Sequence, residues 1–207
     1  MALRIKPLTP ADAQHYLKIY APFVKNSHAS FEYEIPDLSE IKTRIERVGE
    51  RHHGLGLWKN QKFLGFALAG KHRDREGYKY SVETSIYFSP EARGNKWGHP
   101  FYEFLLEGLR LQGFLTAVAG IALPNPDSVA LHENLGFQKI GTYKHIGFKE
   151  GKWIHTEWYQ SHLSAPPKLP PNLISKEELF QLPHWQEKKI LTEKILNLRL
   201  DLHKTHL

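Results

Sequence analysis

Leu115–Ala122 reads LTAVAGIA, an uncharged and largely apolar run of the kind that fills a buried strand. Helical patterns stand on both sides of it. Phe101–Leu111 puts Phe101, Phe104, Leu105 and Leu109 on one face, and residues 126–135 follow Pro124-Asn125-Pro126 as a second helix. A buried-type strand set between helices commits the chain to an α/β architecture.

The remaining pattern extends that choice. Residues 3–8 alternate as an edge strand does, and Thr9-Pro10-Ala11-Asp12 opens a helix with Tyr16, Ile19 and Tyr20 on one face. A loop through Asn26-Ser27-His28 leads to a second helix from Asp37 to about Val48. Strands at Gly56–Lys59 and Phe63–Gly70 flank the turn Lys59-Asn60-Gln61, and a polar loop leads to a stronger strand, Lys79–Phe88. Arg93–Gly98 reads as a loop. Phe137–Gly147 and Lys152–Gln160 form a hairpin around Lys149-Glu150-Gly151.

The composition changes at Ser164-Ala165-Pro166-Pro167-Lys168-Leu169-Pro170-Pro171, a stiff linker. Residues 1–163 then form the main domain, and 164–207 a Pro-rich linker with a C-terminal helical extension. Gln186–His206 reads as an amphipathic helix whose stripe is Leu191, Ile195, Leu198 and Leu202. That stripe docks on its own domain or pairs with a second chain.

The chain of 207 residues has a net charge of +6, with Lys and Arg interspersed among Asp and Glu, so no nucleic-acid arm is expected. Neither a membrane-spanning run nor a secretory h-region is seen, and the absence of cysteine fits a cytoplasmic protein. There is no cysteine, which excludes disulfides, thiolate metal sites and a thiol nucleophile. The 13 histidines form no HExxH pair or comparable cluster, so no metal is expected.

Three segments carry candidate chemistry. Glu83 lies in the otherwise uncharged strand SVETSIYF, either facing solvent or serving as a general base. Arg93-Gly94-Asn95-Lys96-Trp97-Gly98 precedes a helix, as a surface turn or as a phosphate-holding loop. His132 sits in the segment N-x-x-S-x-x-L-H-E-N-L-G-F, where a lone histidine is a packing residue or a catalytic one. The order of these segments, with Ile121-Ala122-Leu123-Pro124-Asn125, Leu109 to Phe114, and Gly147-Phe148-Lys149-Glu150-Gly151-Lys152-Trp153, resembles the GNAT acetyltransferase superfamily. More narrowly it resembles the phosphinothricin N-acetyltransferase family, over about residues 3–163.

The resemblance implies a GNAT fold: a central mixed, mostly antiparallel sheet flanked by helices. It also implies transfer of acetyl from acetyl-CoA to the primary amine of a small amino-acid-like acceptor. Glu83 would be the catalytic base and His132 the catalytic histidine. Cofactor contacts would come from Ile86, Tyr87 and Phe88, from Arg93, Gly94, Asn95, Lys96, Trp97 and Gly98, and from Asn125. Acceptor contacts map onto Phe31, Arg75, Tyr78, Tyr87 and Ala122. A homodimer is implied as well. Without cysteine, transfer is direct. Lys96 departs from the pattern, because the superfamily usually carries Gly there; its Cβ would crowd the pyrophosphate while its ammonium could pair with it. An alternative reading follows, a CoA-binding or scaffold module of the same fold with weak or no catalysis.

Overall fold

A computed structural model describes residues 2–48 and 51–204 of the chain. Seven strands form one sheet: β1 (Leu3–Pro7), β2 (Gly54–Lys59), β3 (Lys62–Lys71), β4 (Ser81–Phe88), β5 (Thr116–Ala122), β6 (Gln138–Lys149) and β7 (Lys152–His162). Their order is β1-β2-β3-β4-β5-β7-β6. Every neighbouring pair is antiparallel except β4 with β5. The expected mixed, mostly antiparallel sheet is therefore what forms. The first of the two strands around the Lys59-Asn60-Gln61 turn starts at Gly54 rather than Gly56, and the strand bearing Glu83 starts at Ser81.

Helices cover both faces. On one face lie α1 (Ala13–Asn26) and α2 (Leu38–Arg47), whose Tyr16, Ile19, Tyr20, Val24, Ile41 and Ile45 bury against Trp58, Phe63 and Phe66. The start of α1 is braced by Asp12, whose carboxylate accepts from the Thr9 N–H and hydroxyl, both at 2.9 Å. On the other face lie α3 (Gly98–Leu111), α4 (Pro126–Asn134), α5 (Lys176–Gln181) and α6 (Pro183–Lys204). The helix expected at Phe101 thus begins at Gly98, with Pro100 tolerated in its first turn.

The motif GFKEGKW has a structural explanation. Gly147 has no Cβ, and one built there would lie 2.4 Å from the Phe31 ring, so only glycine lets that ring lie on the strand. Lys149 is buried and donates to the carbonyls of Val24 and Ser30 at 2.7 and 2.5 Å, fastening the loop after α1 to the end of β6. Burial pushes its ammonium down from the ordinary lysine value.

The C-terminal helix docks on its own chain, but not by the expected stripe. Leu191, Leu198 and Leu202 are 51%, 66% and 62% exposed, and Ile195 is half-buried. The buried face is Thr192, Glu193, Leu196 and Leu200, and with Trp185 and Leu179 its apolar members belong to the main core. Trp185 stacks on Phe104 with ring centroids 4.1 Å apart. The polar members of this face have a different task. Asn197 accepts from the Leu3 N–H at 2.7 Å and donates to the Leu3 carbonyl at 3.0 Å, and Glu193 accepts from the Ile5 N–H at 2.8 Å. Helix α6 therefore closes the hydrogen-bonding edge that β1 would otherwise present. Of the expected Gln186–His206 helix, residues 205 and 206 lie outside the described residues.

His53 ties the extension to the domain. Its ring meets Trp185 edge-on at 5.5 Å, and its Nδ1 lies 2.7 Å from Gln112 Oε1, while Gln112 Nε2 donates to the carbonyls of Arg51 and Ile174. Burial pushes His53 down from 6.5 to about 4. As pH falls through 6.5 the unfolded chain takes up this proton, while the folded chain does not until about 4. Stability is therefore full above 6.5 and drops by up to about 3 kcal/mol across that window. Urea unfolding from pH 7 to 4 should show this drop, and the His53→Gln variant should show a flatter profile; parallel profiles would contradict the assignment.

Candidate active site

The parallel ladder of β4 and β5 is short. It pairs Ser81 with Thr116, Val82 with Ala117 and Glu83 with Val118, and then the two strands diverge. Beyond Glu83 one side of the β4 backbone has no strand partner among the described residues, because β3 occupies only the other side. The divergence opens a groove of about 730 Å³ between the strands. Its walls include Ile86, Tyr87 and Phe88 from β4, Ala122 at the end of β5, Asn125 as the N-cap of α4, and His132.

At one end the groove meets the loop before α3. Arg93, Gly94, Lys96, Trp97 and Gly98 line it, and the first-turn N–H groups of α3, which have no intrahelical partner, start there. Gly94 and Lys96 both adopt left-handed backbone, with φ of 74° and 58°. The usual glycine at the second position is thus explained by conformation, since a Cβ in that region is strained by about 1–2 kcal/mol. The Arg93 guanidinium lies over the Phe23 ring at 4.9 Å, which holds it at the rim. Among the charged side chains lining the groove, Arg93, Lys96 and Arg199 are cations and Asp127 is the single carboxylate. This end therefore favours an anion.

Asn95 and Trp97 have other duties. Asn95 donates to the Glu91 and Arg93 carbonyls at 3.1 Å each, shaping the loop, and its side chain is not part of the groove wall. Trp97 is buried and contributes to the main core as well as to the wall.

His132 is held from both sides. The Ser128 carbonyl lies 2.7 Å from Nδ1 and can only accept, so that nitrogen carries the hydrogen. Nε2 faces the Tyr102 hydroxyl at 3.2 Å. That hydroxyl is 2.7 Å from Thr84 Oγ1, which donates to the Val118 carbonyl at 3.2 Å. Both chain ends are carbonyls, so neutral His132 and Thr84 each spend their hydrogen on an end. The Tyr102 hydroxyl then has one hydrogen for two contacts, and a proton taken up at Nε2 would fill the remaining one. Burial pushes His132 down from 6.5, partly offset by the bond to Ser128, so the ring is neutral near pH 7. Burial likewise raises the Tyr102 and Tyr87 phenols, which stay protonated.

Glu83 is not part of the groove wall. Consecutive strand residues face opposite ways, so Thr84 joins His132 on the α3 side and Glu83 faces the α1 side. There Glu83 Oε2 lies 3.5 Å from His72 Nδ1, and the His72 ring meets Tyr78 and Trp158 edge-on at 6.2 and 6.1 Å. The same face of the sheet carries Gly120, Thr156 and Trp158; a Cβ on Gly120 would touch both of the latter. Thr156 Oγ1 and Trp158 Nε1 are buried without a hydrogen-bond partner, and His72 Nδ1 is buried with the 3.5 Å approach of Glu83 but no hydrogen bond. Buried polar atoms without a hydrogen bond, on the face that carries a carboxylate, suit a polar ligand. Of the other expected acceptor contacts, Tyr87 and Ala122 line the groove, and Tyr78 joins this cluster through His72. Arg75 is exposed at the start of a 3-10 turn, and Phe31 lies on Gly147; neither is in the groove wall.

Sequence reasoning missed His72, Thr84, Tyr102, Trp158 and Arg199. Tyr102 and Thr84 carry a readable signal, being polar groups at inward positions of a helix and a strand. For Arg199 there was none.

This geometry accords with known proteins. The model of the acetyltransferase (GNAT) domain matches residues 5–158. A phosphinothricin N-acetyltransferase of Streptomyces viridochromogenes is 33% identical over 168 residues, covering 80% of this chain and 92% of that protein. An L-methionine sulfoximine/L-methionine sulfone acetyltransferase of Pseudomonas aeruginosa is 28% identical over 172 residues, covering 82% and 100%. The structure of a phosphinothricin acetyltransferase from Sinorhizobium meliloti in complex with AcCoA superimposes with a TM-score of 0.79 at 30% identity, covering 88% of this chain and all of that one. The chain belongs to the GNAT acetyltransferase family, in the branch of the phosphinothricin N-acetyltransferases, and is by that membership an acetyl-CoA-dependent N-acetyltransferase.

Replacing Tyr102 by Phe removes the hydroxyl between Thr84 and His132. The variant should lose about 1–2 kcal/mol in urea unfolding, because two buried polar atoms lose their shared partner. Unchanged stability would mean that the chain of contacts is not formed.

Proposed function

We propose that this enzyme moves acetyl from acetyl-CoA directly to the primary amine of a small amino-acid-like acceptor, of the phosphinothricin or methionine-sulfoximine kind, with Glu83 as base. The observation that carries the reading is the opening between β4 and β5. Its wall takes residues from both faces of the sheet, Thr84 and His132 from one and Tyr87, Gly120 and Ala122 from the other, and that second face also carries Glu83 and buried polar atoms without a hydrogen bond.

The residues divide the work. Left-handed Gly94 and Lys96, with the first turn of α3, suit phosphate oxygens. The unpaired side of Ile86–Phe88 suits an extended chain of amides, as a further strand would, and Asn125 stands further along it. Bound there, acetyl-CoA supplies the thioester. An amine near pH 7 is mostly protonated and must lose a proton to attack. Glu83, directly or through water, takes that proton. His132, neutral and with its Nε2 lone pair toward Tyr102, is the second acceptor, and the contact chain to Val118 gains a hydrogen when it is used. On the acceptor side, His72 stands beside Glu83, Thr156 and Trp158 offer polar atoms on the same face, and Tyr78 packs on His72; Arg75 is exposed in the turn just before Tyr78.

The reading as a binding or scaffold module rests on Lys96. Its left-handed backbone keeps the loop in the shape a glycine would give, and its ammonium adds a charge that suits phosphate, so the substitution is compatible with cofactor binding. No helix among the described residues is long and apolar enough to cross a membrane. A cytoplasmic homodimer remains part of the proposal by family resemblance. Exposed Ile140, Tyr143, Ile146, Phe148 and Trp153 on the β6–β7 hairpin support it as a surface a second copy could cover.

Thiol release from acetyl-CoA, measured with a panel of small amines, tests the reading. Glu83→Gln should lower kcat/KM by about 10²–10⁴-fold with the best acceptor. Equal turnover by the two proteins would remove Glu83 from the role of base.

A further inference from the structure

The phosphate end of the groove contains a side chain from outside the GNAT domain. Arg199 lies on α6, beyond residues 5–158, and lines the groove together with Arg93 and Lys96. Its Nη1 donates to the carbonyl of Lys96, within the loop before α3.

This placement is built rather than incidental. The backbone of α6 is fixed on both sides of position 199. Asn197 makes two bonds to Leu3, and Leu196 and Leu200 are buried in the main core. Further back, Trp185 stacks on Phe104 of α3, the helix that begins at the loop. The helix that closes the β1 edge thus delivers a guanidinium to the cofactor loop. A guanidinium has five N–H donors in a planar fork that matches phosphate oxygens, and one contact to a carbonyl does not exhaust them. The loop it touches has exchanged its usual glycine for Lys96, so this end of the groove carries three cations, Arg93, Lys96 and Arg199, and one hydrogen bond ties the Arg199 guanidinium to the backbone of the loop that bears the other two.

We propose that Arg199 is a cofactor-binding residue: the C-terminal extension completes the phosphate site of the groove in cis, with the Arg199 guanidinium binding a phosphate of CoA. The proposal rests on the reading of the groove as the acetyl-CoA site. It gives the extension a function at the active centre in addition to its packing role. A charge-assisted bond of this kind accounts for about 10-fold or more in affinity.

The test is titration calorimetry of the full-length protein with CoA and with 3′-dephospho-CoA, for wild type, Arg199→Gln and Arg199→Lys. Glutamine lacks the charge and, being two atoms shorter, also loses the Lys96 carbonyl, so ionic strength separates the roles: a role confined to holding the loop leaves the salt dependence of Kd as in wild type, whereas loss of a charge contact to phosphate lowers it. The expected result is a Kd for CoA raised at least about 10-fold in Arg199→Gln and partly recovered in Arg199→Lys. KM for acetyl-CoA should rise with it, with kcat within about two-fold and the ligand-free melting temperature unchanged. If Arg199→Gln weakens CoA and leaves dephospho-CoA unaffected, the contact is the 3′-phosphate; if it weakens both equally, the contact is the pyrophosphate. An Arg199→Gln Kd equal to wild type for both ligands overturns the proposal. Failure of the wild type itself to bind CoA overturns the reading of the groove, and this inference with it. Should Arg199→Gln not fold, Arg199→Lys decides: it preserves the charge but not the fork, so its Kd for CoA must lie measurably above that of wild type, and equality overturns the proposal.

Discussion

Parallel strands can stay paired only while their directions agree, and β4 and β5 agree for three residues. After Glu83 and Val118 they part, and the rest of the site depends on that divergence. It leaves one side of the Ile86–Phe88 backbone unpaired, exposes the N-terminal turn of α3, and makes a passage between the two faces of the sheet. The passage matters because strand alternation sends Glu83 and Thr84 to opposite faces. The groove wall accordingly takes residues from both faces, Thr84 and His132 from one and Tyr87 and Ala122 from the other.

The second dependence is on α6. An edge strand with free N–H and C=O groups invites unwanted pairing, and here Asn197 and Glu193 satisfy Leu3 and Ile5 directly. The same helix inserts Trp185, Leu196 and Leu200 into the core beneath the site. Edge protection, core packing and the position of Arg199 are thus properties of one element. The extension and the domain share a core, which ties the groove's cationic end to the stability of the chain's C-terminal part.

Much of this architecture could be read from the residues, for identifiable reasons. LTAVAGIA, the Thr9–Asp12 start and the Asn60 turn are local signals, and local signals survive in the fold. The face of α6 was misread because leucine spacing cannot distinguish a core face from an exposed one when apolar residues lie on both. The docking face contains Glu193 and Asn197, which a hydrophobic pattern counts against burial, although their partners are backbone groups of a strand nearly the whole chain away. The site residues divide in the same way. Those fixed by one segment, such as Gly94, Lys96, Asn125 and His132, come together in the wall of one groove. Arg75 and Phe31 do not, and His72 and Trp158 meet beside Glu83 only through the pairing of β3, β4, β5 and β7.

The account makes the diverging strands the place where cofactor is held. Backbone hydrogen exchange with and without acetyl-CoA measures this residue by residue. The account predicts slowed exchange concentrated in 84–88 and 93–98, since those amides gain partners there and few do elsewhere. Unchanged exchange in both segments at saturating acetyl-CoA, or protection confined to the α3–α6 side of the molecule, would contradict it.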